Sequence, residues 1–268
     1  MKYEGYEQNY ERNHVILPGS KDALRTFLNH AYKRKNSISS HSEDALTWSC
    51  FDVLRNLSDN AMIGALDEIM EDAYQGETGC QFFSERKYSA EQITVHIGEK
   101  YEGIGTEETE VDASIVTPKE LIFFEAKLYS TLSLADESKG KPHDQIARKL
   151  RVGLHAAMNS SPKREFYFVF LDIAPREKLN RREKIEIADD PKGGYENKWK
   201  SAYKFTRYKF GHAGSSSPLQ KILEDLDGID DKAIVTVAER MGWLTWSDLY
   251  KTVLRGLVSS TSFRAKHK

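Results

Sequence analysis

An acidic residue, Asp112, and an acid-x-lysine pair, Glu125 and Lys127, are carried on two short apolar runs separated by a turn, in Thr109-Glu-Val-Asp112-Ala-Ser-Ile-Val-Thr-Pro118-Lys-Glu-Leu-Ile-Phe-Phe-Glu125-Ala-Lys127. Ala113 to Val116 and Leu121 to Phe124 are β-prone, and the Thr-Pro-Lys-Glu between them is turn chemistry, so the two runs are expected to form a hairpin. Antiparallel pairing would bring Asp112, near the start of the first strand, beside the end of the second. Glu125 and Lys127, at i and i+2, would share a face there. Two carboxylates a few ångströms apart repel unless a cation lies between them, and oxygen ligands of that kind suit a hard ion such as magnesium. A lysine beside such an ion could orient an attacking water or support charge developing on a phosphate, while the metal lowers the pKa of that water. The expected chemistry is metal-dependent hydrolysis of a phosphodiester.

The acid-x-lysine spacing alone is a weak signal. It recurs at Glu85-Arg-Lys87, Glu137-Ser-Lys139, Asp190-Pro-Lys192, Glu196-Asn-Lys198 and Asp230-Asp-Lys232. Only the copy at Glu125 closes an apolar strand and has a second acid one hairpin upstream in a β-like setting. The competing account is a surface hairpin on which Glu125 and Lys127 form an ordinary ion pair, worth a few tenths of a kcal/mol.

At these residues the chain resembles the PD-(D/E)XK nuclease superfamily, whose fold is restriction-endonuclease-like and which carries an acid on one strand and an acid-x-lysine on the next. The resemblance implies that Asp112 and Glu125 are metal ligands, with the backbone carbonyl of Ala126 a further one, and that Lys127 is the catalytic lysine. The residue before Asp112 is Val111 where the family's motif has proline, a position commonly relaxed in the superfamily. The implied core runs helix, three antiparallel strands, helix, strand, and the resemblance spans roughly residues 40 to 175.

Segments on both sides of the hairpin suit that order. Upstream, Ser42 to Leu57 places Leu46, Cys50, Val53, Leu54 and Leu57 on one helical stripe, with Glu43 in the first turn. By resemblance, Glu43 is a third acid of the metal shell, and Asp44 is its stand-in. The alternative is a capping box, because Ser40-His-Ser-Glu43 has the spacing in which the glutamate satisfies a backbone donor. Downstream, Asp144 to Met158 reads as a second amphipathic helix with Ile146, Leu150, Leu154, Ala157 and Met158 on the apolar stripe. Gln145, Arg148 and Lys149 lie together on another face. The resemblance assigns Gln145 and Arg148 to the substrate backbone, where a guanidinium fork can hold a phosphate. Lys149 and Arg151 equally suit a solvated polar face. Glu165 to Asp172 is the continuous apolar run expected of a strand buried on both sides. Gln81 to Tyr88 and Gln92 to Ile97 show partial alternation and are candidates for the first strand.

The chain has 268 residues, 39% of them hydrophobic, and a net charge of −2, enough for one sizeable core and contrary to a protein that coats nucleic acid nonspecifically. The expected fold class is α/β, a restriction-endonuclease-like core with a central mixed sheet flanked by helices and a helical C-terminal extension. Residues 1–39 form an N-terminal extension, 40–210 the nuclease-like core, and 211–268 a linker and helical region packed on it. No stretch resembles a signal peptide or a membrane span, so a cytoplasmic location is expected. Cys50 and Cys80 lack a C-x-x-C spacing and read as reduced core thiols.

From Arg176 to Phe210 cations alternate with aromatics, a pattern that suits either a phosphate-tracking, base-stacking strip or an amphipathic strand. Gly211 to Pro218 reads as a linker. Leu219 to Leu226, Asp231 to Met241 and Thr245 to Leu257 read as helices, either a sheet cover or dimer contact, or a helix-turn-helix reader with Trp243 and Trp246 in its turn. No phosphate loop, nucleophile elbow or zinc-helix histidine pair is present. The expected protein is a magnesium-dependent (or manganese-dependent) DNA endonuclease of a restriction or defence type, with RNA as an alternative substrate and a homodimer as an oligomeric form. A nucleic-acid-binding or assembly subunit with a vestigial metal site is the reading from another class.

Overall fold

The computed structural model describes residues 15–29, 43–75, 82–128, 130, 132–136, 138, 142–173, 204–211 and 217–260. Ser40, Cys80, the basic aromatic strip before residue 204, most of the linker and the C-terminal tail lie outside the described residues. The chain order is α1 (Lys21–Leu28), α2 (Glu43–Asn56), α3 (Asp59–Tyr74), α4 (Phe82–Glu85), β1 (Thr94–Glu102), β2 (Glu108–Val116), β3 (Glu120–Ala126), α5 (Gln145–Met158) and β4 (Glu165–Asp172). It continues with α6 (residues 204–210), α7 (Pro218–Leu223), α8 (Asp231–Glu239), β5 (Met241–Thr245) and α9 (Trp246–Ser259).

The five strands form one mixed sheet in the order β1-β2-β3-β4-β5. The first three pair antiparallel, and β3, β4 and β5 run parallel. Parallel neighbours require crossovers, supplied by α5 between β3 and β4 and by α7 and α8 before β5. Helices therefore cover both faces. On one side, α2, α3 and α9 pack with Ile122, Phe124 and Ala126; on the other, α5 to α8 pack with Leu121, Phe123 and Phe166. Covered on both sides, β3 is buried along its whole length, which is why its sequence reads as an apolar run rather than an alternating one.

The hairpin turn is built by Thr117, whose hydroxyl accepts the N–H groups of Lys119 (3.1 Å) and Glu120 (2.8 Å). In the first half of α2, Ala45 and Trp48 pack with Leu24 and Leu28 of α1 in a separate small cluster. α5 is capped by Asp144, whose carboxylate accepts the Ala147 N–H at 3.0 Å.

Several expectations change. Of the two candidates for the first strand, Gln92 to Ile97 falls largely within β1, whereas the described part of Gln81 to Tyr88 is not extended: it holds α4, because Asp67 accepts the N–H groups of Phe83 (3.0 Å) and Ser84 (3.1 Å) and stabilises a helical start. The first strand is β1, beginning at Thr94. Residues 204–210 are helical rather than extended, with Phe205 and Tyr208 buried and Phe210 exposed, a helical spacing. Met241–Thr245, expected at a helix-turn-helix corner, is a fifth strand with Trp243 buried in the sheet, so the helix-turn-helix reading is withdrawn. Its apolar residues are a buried parallel strand's, too few to stand out between two helices. Cys50 is buried and free, as expected. Among the described residues, no helix is long and apolar enough to cross a membrane.

α5 lies so close to the sheet that a side chain at Gly153 would collide with the Phe166 ring. Gly153→Ala is expected to lower stability by about 1–3 kcal/mol through overpacking, measured by urea denaturation, whereas Gly64→Ala, with open space at its Cβ, should be neutral or mildly stabilising.

Candidate active site

The hairpin register brings the three residues of the sequence motif together. β2 pairs with β3 from Val116 opposite Leu121 to Ala113 opposite Phe124, so Asp112 emerges beside the end of β3. Its Oδ2 accepts the Ala126 N–H at 2.7 Å. Glu125 is completely buried, on the side of the sheet facing α5. Its Oε1 lies 2.9 Å from the Lys127 Nζ and accepts from Gln145 Nε2 at 2.5 Å. Its Oε2 lies 3.1 Å from the Lys149 Nζ, an ion pair rather than an aligned hydrogen bond.

Lys127 sits just past the strand end, only 6% exposed. Its backbone is fixed from two directions: its N–H donates to Leu171 O at 2.7 Å, and its carbonyl accepts the indole N–H of Trp246 at 3.0 Å. Its ammonium donates to Ala126 O at 2.8 Å and to Glu43 Oε1 at 3.2 Å. Glu43 therefore reaches this site from the first turn of α2. Its other oxygen accepts the Leu128 N–H (2.6 Å) and the Ser130 hydroxyl (2.7 Å). With both oxygens engaged, Glu43 holds the lysine and the following loop, while Ser40, its partner in the capping-box alternative, lies outside the described residues.

Gln145 is clamped as well. Its side-chain oxygen accepts the Ser133 N–H at 3.1 Å, and its backbone N–H donates to Ser133 O at 3.0 Å. Arg148 donates from Nη2 to the Ser133 hydroxyl at 2.9 Å, and its Nη1 is buried without a hydrogen bond. Lys149, which also suited a solvated face, is 3% exposed and donates to Glu110 O beside its ion pair with Glu125. Arg151, likewise, is 4% exposed, paired with Glu107 at 2.9 Å and with Asp225. One helical turn separates Gln145 from Lys149, so both point at the same carboxylate; that i, i+4 spacing was the available signal for Lys149.

No family model, curated protein or solved structure matches this chain.

The electrostatics of the cluster are dominated by burial and by close opposite charges. Burial pushes the Asp112 carboxyl up to about 7, with the Glu125 charge adding to the shift against the opposing pull of Lys127 and Lys149. For Glu125, burial alone would raise the carboxyl, but the two ammonium groups outweigh it and hold it below the usual range. For Lys127, burial favours the neutral amine, but Glu125, Glu43 and Asp112 outweigh it and keep the side chain charged.

The donor set is of the kind a hard divalent ion takes, although in this structure Lys127 and Lys149 lie against the two Glu125 oxygens and Lys127 against the Ala126 carbonyl. Asp112, Glu125 and the Ala126 carbonyl offer only oxygens. Among the described residues, no three acidic, histidine or cysteine side chains form a closed metal-ligand group, and the Lys127 ammonium stands between Glu43 and Glu125.

A carboxyl whose folded pKa lies above its unfolded value costs stability as pH rises through that window, here from the ordinary carboxylate range to about 7. Asp112→Asn is therefore expected to raise the melting temperature of the metal-free protein at pH 8 by roughly 2–4 °C, with the gain shrinking toward pH 4. Differential scanning calorimetry at the two pH values checks this; a lower melting temperature at pH 8 would contradict it.

Proposed function

We propose that the protein is a divalent-metal-dependent nuclease of the PD-(D/E)XK, restriction-endonuclease-like type, hydrolysing phosphodiester bonds in DNA. The observation that carries this reading is the Lys127 ammonium, held simultaneously by Glu125, the Ala126 carbonyl and Glu43, one residue beyond the end of a buried strand and beside Asp112. A surface ion pair, the competing account, needs none of this burial. With α3 and α4 inserted between α2 and β1, the order of a helix, three antiparallel strands, a helix and a parallel strand from α2 to β4 is the one the sequence resemblance implies, which supports the same reading.

In this mechanism Asp112, Glu125 and the Ala126 carbonyl would hold a magnesium or manganese ion, which would supply a water of lowered pKa and neutralise the scissile phosphate. Lys127 would orient the attacking water and support charge on the phosphoryl oxygens. Glu43 and the Trp246 indole keep Lys127 in place, the first through its ammonium and the second through its backbone. Gln145 fixes the Glu125 carboxylate, and Arg148, whose guanidinium holds the Ser133 hydroxyl beside the site, is the cation assigned to a backbone phosphate.

Cleavage of supercoiled plasmid, linear duplex, single-stranded DNA and RNA in the presence of magnesium or manganese tests the proposal. Wild-type protein is expected to cleave a DNA substrate, and Asp112→Ala and Lys127→Ala to lose at least ~100-fold in rate. Arg148→Ala is expected to raise KM more than it lowers kcat. RNA as the sole substrate would change the substrate class, and no cleavage by folded, metal-loaded protein would favour a nucleic-acid-binding subunit.

A further inference from the structure

Lys149 is a second lysine in the cluster, carried not by the hairpin but by α5. Its side chain is 3% exposed, reaches Glu125 Oε2 at 3.1 Å, and donates to the Glu110 carbonyl of β2. An ammonium taken out of water at this depth needs compensating charge, and Glu125, also fully buried, is its ion-pair partner. Glu125 is thus held at both oxygens: Lys127 and Gln145 at one, Lys149 at the other. The two ammonium groups come from different elements, which fixes the carboxylate rotamer against both the strand and the helix.

We propose that Lys149 is a positioning residue of Glu125 and the fixed cation that limits this site to one divalent ion, an inference resting on the nuclease reading above. With their carboxylates ionised, Glu43, Asp112 and Glu125 face Lys127 and Lys149, leaving one net negative charge. One divalent ion turns this into a single net positive charge, which matches the single negative charge of a phosphodiester. A second divalent ion would leave the centre strongly positive beside two ammonium groups that lie against the same carboxylate. Lys149 therefore takes the electrostatic place that a second ion would otherwise fill, at the cost of competing with the first.

The test is manganese binding to the full chain at pH 8, followed by calorimetry and electron paramagnetic resonance, with cleavage measured in parallel. The wild type is expected to bind one ion. Lys149→Met is expected to bind manganese at least ~10-fold more tightly, because repulsion between neighbouring cations is removed, and to admit a second ion, while cleavage falls at least ~10-fold. Lys149→Arg keeps the charge and is expected to restore single-ion binding. Two ions in the wild type, or weaker binding by a folded Lys149→Met protein, would overturn the proposal. Ion binding reads out whether or not a substrate is cleaved, so single-ion binding without cleavage would count against the nuclease reading alone. Absence of any ion binding would overturn both.

Discussion

A fully buried glutamate is expensive to keep ionised, and the architecture around the end of β3 is organised by that cost. Glu125 has no access to water, so its charge is stabilised only by what the fold places around it: Lys127 two residues along, and Lys149 and Gln145 from α5. Lys149 and Gln145 reach it only if α5 lies flat against the sheet. That approach requires the bare backbone at Gly153, which admits the Phe166 ring. The site and the packing of this face are therefore one construction. A change that lifts α5 also strips a buried carboxylate of two of its partners, a penalty well beyond the loss of apolar contact alone.

The opposite face supplies the remaining supports. α2 delivers Glu43 to the Lys127 ammonium while its apolar residues pack on β3, and α9 sends the Trp246 indole N–H to the Lys127 carbonyl. Lys127 lies beyond the ladder's last residue, where a chain end would ordinarily be loose. Here the two carbonyl and amide bonds to Trp246 and Leu171 extend strand-like order past Ala126. Rigid placement of a charged group at a strand end costs no reorganisation when a substrate arrives, which is the property expected of a preorganised site.

How much of this was legible in the sequence varies by element. The hairpin could be read because strand propensity, the Thr-Pro turn and the isolated polar ends all point to one pairing, and Asp112, Glu125 and Lys127 followed from it. The helices α2 and α5 and the strand β4 were visible from periodicity or from an unbroken apolar run. β5 was not, because five residues between two helices carry too short a signal, and its identity is set by pairing with β4. The burial of Lys149 and Arg151 was hidden for a related reason: a charged residue on a helix reads as solvated until its partner is known, and Glu125, Glu107 and Asp225 are distant in sequence. Glu43 was placed among the acids by its position in the first turn of α2, yet its engagement with Lys127, Leu128 and Ser130 depends on a loop that no local pattern encodes.

The central claim is that the oxygens of Asp112, Glu125 and Ala126 form a binding place for a divalent cation. Anomalous diffraction at the manganese edge, from crystals of the protein soaked in manganese chloride, locates such an ion directly. The account predicts one peak between the Asp112 and Glu125 carboxylates at metal–oxygen distance, with the Ala126 carbonyl among its ligands. A fully occupied crystal with no peak there, or with manganese bound only elsewhere on the molecule, would contradict it.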